Sequence, residues 1–293
     1  MRTGISSYAY SRLLAKGSMD IFQVIDKTKE IGFDAIEFSN LPEVKGFTKL
    51  QLAEKIKGYC LKKELIIANY ATGADMLKGS KGNLPAEVER VKGEVDVAKA
   101  LGVDKMRHDA SFGFLAGDPG AACFEKTLIR IAEGCRAITE YAAGLGIRTM
   151  VENHGRFCQD SDRVELLVNE VDHENFGVLL DVGNFMCVDE DPAEATGRLI
   201  PYAFHVHFKD FHVKDGNAFH PGAGWILTRN GNFLRGAIIG HGDLPLAQCM
   251  NIIRQYDYKG ILSIEFEGLE DPLTGIEMGY RNLKRLIAAA WQA

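Results

Sequence analysis

Tyr202-Ala-Phe-His-Val-His-Phe-Lys-Asp210 is a short apolar run that carries a polar residue at every second position. In a β-strand successive side chains alternate between faces, so this spacing predicts His205, His207 and Lys209 on one face and Phe204, Val206 and Phe208 on the other. A face that hid two imidazoles and an ammonium without partners would lose roughly 1–3 kcal/mol for each unsatisfied group. The stretch reads either as the wall of a polar cavity or as a half-buried strand with a solvated face. The rest of the chain decides between them.

Outward from this run, short β-like segments alternate with longer amphipathic ones about eight times. Strands are expected near 3–8, 34–38, 64–70, 104–109, 147–152, 175–181, 203–209 and 260–266, and helices near 19–31, 48–62, 85–101, 120–145, 161–171, 191–200, 244–256 and 274–290. Such alternation predicts parallel strands with helical crossovers. A chain of 293 residues suits one α/β domain over 1–293, a (β/α)8 TIM barrel. Gly32, Gly102, Gly146 and Gly260 each stand between an amphipathic segment and the next apolar run, where a left-handed helix end favours glycine. One connection breaks the rhythm: residues 211–243, with seven glycines and little helical period, form a long loop insertion after strand 7. In a barrel, the loops that follow strands line the active-site face, which makes the insertion a candidate lid or specificity loop.

Composition excludes several classes. A net charge of −6 offers phosphate backbones no general attraction, so no nucleic-acid partner is expected. The six cysteines have neither CxxC pairs nor zinc-ribbon spacing, as in reduced thiols of a cytoplasmic protein. Residues 1–8 lack the apolar core of a secretory signal, no segment approaches the ~18 consecutive apolar residues of a membrane helix, and no phosphate-binding glycine motif follows a strand.

The C-terminal ends of the expected strands carry Glu37, Asn69, His108 with Asp109, Glu152 with His154, Asp181, His207 with Lys209, and Glu265 with Glu267. Barrel interiors are packed with branched apolar side chains, so carboxylates and imidazoles converging at strand ends point to an active site on that face. Glu152, Asp181, His207 and Glu265 come from four successive strands. Grouped together, they would repel one another unless a divalent cation neutralised them. Three oxygens and one nitrogen suit Mn²⁺ first, with Mg²⁺, Co²⁺ and Zn²⁺ also compatible. His154, His108, His241, Lys209 and Glu267 are substrate-binding candidates.

Val151-Glu-Asn-His154, Leu180-Asp-Val-Gly-Asn184, His205-Val-His-Phe-Lys-Asp210, Gly240-His-Gly-Asp243 and Ser263-Ile-Glu-Phe-Glu-Gly268 resemble motifs of the xylose-isomerase-like TIM-barrel superfamily of sugar and sugar-phosphate isomerases and epimerases. The resemblance implies metal ligation by Glu152, Asp181, His207 and Glu265, with Glu152 and Glu265 also the acid–base pair of a ketose epimerase. It selects Glu265 over Glu267, which shares its face. The implied activity is proton abstraction next to the carbonyl of a small carbohydrate through an enediolate, in a possible homo-oligomer. The sequence departs from the epimerases where their D-x-x-H becomes Asp181-x-x-Asn184, an uncharged amide facing substrate, and where Lys209-Asp210 follows the H-x-H in place of an arginine. A keto-inositol or keto-sugar dehydratase would begin with the same proton abstraction and stays open, as does a metal-dependent hydrolase such as an apurinic endonuclease. Phosphate on the substrate also stays open, since Lys209, Lys214, Arg229 and Arg235 lie in or near the insertion.

Overall fold

A computed structural model describes residues 1–114 and 123–292. Eight parallel strands close into a barrel: β1 Arg2–Ser6, β2 Ala35–Ser39, β3 Ile66–Thr72, β4 Lys105–His108, β5 Arg148–Glu152, β6 Phe176–Asp181, β7 Ala203–Phe208 and, after the insertion, β11 Ile261–Ile264. Neighbours around the ring follow chain order, and β11 closes it between β7 and β1. The expected (β/α)8 barrel is thus the fold observed, with strand positions within about two residues of those read from the sequence. The crossover helices also match, including Ile21–Ile31, Lys49–Lys62, Leu84–Leu101, Ser161–Val171 and Leu246–Gln255. The helix expected at 120–145 is observed as Phe124–Gly144, and residues 120–122 lie outside the described residues.

The apolar core lies between barrel and helices. Ile36, Val151, Leu180, Val206 and Phe208 of the strands and Val24, Ile56, Val91, Ile138 and Leu167 of the helices belong to one buried cluster. The barrel interior is polar by contrast: Asn69, His205, His207 and Ser263 are all buried, and His205 Nε2 meets Ser263 Oγ at 2.9 Å. The cavity-wall reading of 202–210 is therefore the one realised. The alternation fails at one residue. Register between β6 and β7 slips after the Val178–Ala203 pair, so that Leu179 pairs with His205, and Phe204 shares a pocket at the barrel base with His205.

Three of the four glycine ends behave as expected: Gly32, Gly102 and Gly146 have φ of 108°, 77° and 75°. Gly260 does not, because the preceding helix ends earlier and Asp257 takes the left-handed position at φ 57°. Gly260 is constrained by space, since a Cβ there would strike the Tyr258 ring.

The insertion is not a structureless loop. It folds as an antiparallel sheet of β8 Asp210–Lys214, β9 Ile226–Leu227 and β10 Phe233–Ala237, with β10 in the middle. Period-two patterning in two short strands is too brief to stand out among seven glycines. Asp210 fastens its two ends. Its Oδ2 accepts from Gly240 N and Gly242 N, each at 2.9 Å, and a Cβ on Gly242 would collide with that carboxylate. The Gly240-His-Gly-Asp243 motif is thus the turn that lets a backbone close onto Asp210.

Candidate metal centre

Glu152 ends β5, Asp181 ends β6, His207 is the fifth residue of β7, and Glu265 directly follows β11. Parallel pairing sets them level: Asp181 pairs with His207 and His207 with Ser263, and Glu265 N extends the ladder to Phe208 O at 3.1 Å. One donor atom from each of the four lies within 4.8 Å of every other. The structure therefore brings together the four side chains singled out in the sequence.

Each is held so that a particular atom faces the centre. Asp181 Oδ1 caps the turn that follows β6, accepting from Gly183 N at 2.8 Å and Asn184 N at 3.0 Å. Its Oδ2 is buried without a hydrogen bond, 3.3 Å from the Lys209 ammonium. His207 Nε2 lies 2.8 Å from Glu37 Oε2; a carboxylate only accepts, so Nε2 carries a proton, and in the neutral ring the lone pair is left on Nδ1. That Nδ1 is also buried and unpartnered, 3.8 Å from Asp181 Oδ2 and 4.0 Å from Glu265 Oε2. Buried polar atoms are seldom left unpaired. Two such atoms facing each other between carboxylates, with the histidine braced by a carboxylate behind it, fit a divalent cation.

Glu37 was not a candidate ligand, and the structure gives it this bracing place. It also accepts from Asn69 Nδ2 at 2.7 Å and lies 3.3 Å from His205 Nε2. Glu37, His205 and His207 form a second metal-like group. The shared Glu37 oxygen is already crowded by three donors, so it belongs to the support and not to a second ion site. Between the Ile36–Ile67 and Phe38–Tyr70 pairs β3 carries one residue more than β2, and such an irregularity re-aims a residue of the bulged strand, here the stretch that turns Asn69 to Glu37.

Asn184 joins two charged groups. Its Nδ2 donates to Glu152 Oε1 at 2.9 Å and its Oδ1 accepts from Lys209 Nζ at 3.0 Å. Lys209 is buried, with its ammonium 2.6 Å from Glu265 Oε2, 3.3 Å from Asp181 Oδ2 and 3.5 Å from Glu267 Oε1. Arg107 completes the grip on Glu152, with Nη2 2.5 Å from Glu152 Oε2 and 2.7 Å from Asp109 Oδ1.

These contacts set the proton affinities. Burial raises Glu152, and nearby Glu265 adds to this, while Arg107 opposes both; the net shift is upward. Burial would also raise Asp181, but Lys209, His207 and the Gly183 N–H hold it down at about 2. Burial opposes the charged form of His207, yet Glu37 and Asp181 push its pKa well above the imidazole range.

A cleft of about 190 Å³ opens over this group, lined by Glu37, Glu152, His207 and Glu265 together with Tyr8, Ser39, Asn40, Arg107, Asp109, His154 and Glu267. His154 reaches it, with Nδ1 3.0 Å from Asp109 Oδ1, and so does Glu267. His108 does not. It turns to the other face of β4, with Nδ1 on Asp109 O at 2.9 Å and its ring 6.3 Å from Phe176, and Arg107 takes the inward position. His241 lies outside as well, beside Asn282 and Arg285 of the C-terminal helix Pro272–Gln292. Arg107 was missed, as were the lining residues Tyr8, Ser39 and Asn40, and only the parity of a four-residue strand separated Arg107 from His108.

The sequence matches the family model described as xylose isomerase-like TIM barrel over residues 25–286, and the chain belongs to that family. A curated relative, inosose dehydratase of Clostridium perfringens (strain 13 / Type A), is 25% identical over 158 residues, covering 51% of this chain and 50% of the relative. The matched region thus spans about half the length of that relative. Among solved structures, the IOLI protein with a bound zinc atom superposes with a TM-score of 0.74 at 15% identity over 99% of both chains. An L-ribulose 3-epimerase superposes at 0.72 and 16% identity, covering 99% of this chain and 96% of its own.

Proposed function

We propose that this protein is a divalent-metal-dependent isomerase or epimerase that removes a proton next to the carbonyl of a small keto-sugar and returns it. Glu152, Asp181, His207 and Glu265 would hold the ion, with Mn²⁺ the expected metal for three carboxylates and an imidazole. When bound, the ion would supply Lewis-acid polarisation of a carbonyl and relieve the mutual repulsion of the carboxylates. The observation that carries the reading is the pair of cleft-lining glutamates on strands that β6 and β7 separate.

Glu152 lines the cleft and would be the first acid–base group, with Asn184 and Arg107 holding its two oxygens. Glu265, oriented by Lys209, is the second acid–base group. Return of the proton to the same carbon from the other side inverts it, and return to the neighbouring carbon moves the carbonyl. His154 and Glu267 at the rim would bind substrate hydroxyls. The partner proposed is a small-molecule carbohydrate.

The inosose dehydratase relative favours a second reading, a lyase in which the same abstraction is followed by expulsion of a β-hydroxyl. Proton NMR in heavy water, with Mn²⁺-loaded protein and a panel of ketoses and keto-inositols, tests both. Deuterium entering beside the carbonyl of an intact skeleton, and lost with Glu152→Gln or Glu265→Gln, is the expected outcome. A product short of one hydroxyl would establish the lyase, and bound metal with no exchange across the panel would overturn both readings.

A further inference from the structure

The cleft carries a charge pattern that the reaction alone does not require. Its wall holds five carboxylates, Glu37, Asp109, Glu152, Glu265 and Glu267, against one guanidinium, Arg107, and two imidazoles, His154 and His207, which face Asp109 and Glu37. Among the described residues no lysine and no second arginine lines it, and residues 115–122, Leu-Ala-Gly-Asp-Pro-Gly-Ala-Ala, contain neither. The guanidinium is not available to a ligand, since Glu152 and Asp109 hold it at 2.5 and 2.7 Å. Just behind the wall, Lys209 is balanced by Asp181 and shared with Glu265 and Glu267. A divalent ion would still leave an excess of negative charge.

The basic side chains of the insertion are committed elsewhere. Arg229 pairs with Asp160 and donates to Arg156 O. Lys214 and Arg235 lie over the Trp225 ring, 5.6 and 5.4 Å from its centroid. None of the three lines the cleft.

From this wall we infer that the substrate is an uncharged monomeric keto-polyol, and that phosphate esters and carboxylates are rejected. The inference rests on the carbonyl-chemistry reading above and narrows it. Beyond the ion, a phosphate or carboxylate placed here would meet a surplus of carboxylates with no unshared cationic side chain to offset them, and like charges brought together in a half-enclosed cleft repel. A polyol meets the opposite situation: Asp109 and Glu267 are acceptors for hydroxyl protons, and Tyr8, Ser39 and Asn40 can donate or accept. Size agrees. A cleft of about 190 Å³ is smaller than the ~300–1,000 Å³ of pockets for drug-sized ligands, which suits a single sugar or cyclitol and not a nucleotide or oligosaccharide.

The test is calorimetric binding to the Mn²⁺-loaded protein with matched probes at low and high salt: D-tagatose against D-tagatose 6-phosphate, and 2-keto-myo-inositol against 3-dehydroshikimate. The uncharged member of at least one pair is expected to bind at least ten-fold more tightly than its charged counterpart, with affinity insensitive to salt. Salt should strengthen any residual binding of the anion by screening the repulsion. A charged probe that binds ten-fold more tightly than its neutral counterpart overturns the inference, as does failure of both neutral probes to bind at millimolar concentration. Deuterium exchange in the same samples separates the two levels. Neutral binding without exchange upholds the substrate class and sinks the proton-abstraction reading; exchange confined to an anionic probe does the reverse.

Discussion

His207 donates one nitrogen to Glu37 and presents the other, unpartnered, to Asp181 and Glu265. A supporting carboxylate of this kind fixes ring orientation and tautomer, and its loss typically costs 10–100-fold in metal affinity. Glu37→Gln is accordingly expected to weaken Mn²⁺ binding by about that factor. Lys209→Met should act in the opposite direction. The ammonium lies within 3.3 Å of two of the three donor carboxylates, so an arriving dication must displace it or bear its repulsion, and its removal should tighten Mn²⁺ binding by about ten-fold, a coupling of ~1.4 kcal/mol. Calorimetric titration of the metal-free variants decides. A loss of affinity in Lys209→Met would show that the lysine supports the ion site. The four grouped residues were legible because strand-end carboxylates have few other reasons to converge. Glu37 was legible as a strand-end carboxylate but its support of His207 was not, since spacing along the chain does not say which strand ends meet across the barrel, and Arg107 was missed because a one-residue change of parity on β4 exchanges it with His108.

At the scale of elements, the long connection after β7 is organised by one carboxylate. Asp210 is 1% exposed and accepts from the backbone of Phe211, Gly240, Gly242 and Leu244. Asp210→Ala would strand several N–H groups, at roughly 1–3 kcal/mol for each left unpaired. Faster amide hydrogen exchange is expected across 233–244, with Leu84–Leu101 on the far side of the barrel unchanged. Protection retained at 233–244 would mean that the sheet stands without its clamp. Helices and barrel strands were legible from periodicity and glycine stops, because a dozen amphipathic residues average out local noise. The insertion was not, since its strands are five, two and five residues long and a pattern that short does not distinguish a sheet from a loop. Its length and place after strand 7 could be read; its β-structure required the return path that Asp210 closes.

The whole barrel assembles buried carboxylates that cannot all be comfortable without a counter-ion, and its pH dependence follows from their shifts. Glu152 has a raised pKa from burial and from Glu265, partly opposed by Arg107. Its ionised form therefore lowers stability once pH exceeds the unfolded value, until a cation reverses the effect. Asp181, held at about 2, has the opposite sign: its contribution is present above the ordinary aspartate range and is lost as pH falls through the folded value. At neutral pH a bound ion should stabilise the fold by ~2.7 kcal/mol at a hundred times its dissociation constant, a rise of several degrees in melting temperature for a domain of this size. As pH falls protons compete first for His207, whose pKa lies well above the imidazole range, and then for Glu152, so the increment should shrink before Asp181 begins to titrate. Thermal unfolding with and without MnCl₂ between pH 7.5 and 4.5 measures this. An increment that is absent at pH 7.5 would remove the metal from the fold's energetics, and one of constant size down to pH 4.5 would place the ion away from both His207 and Glu152.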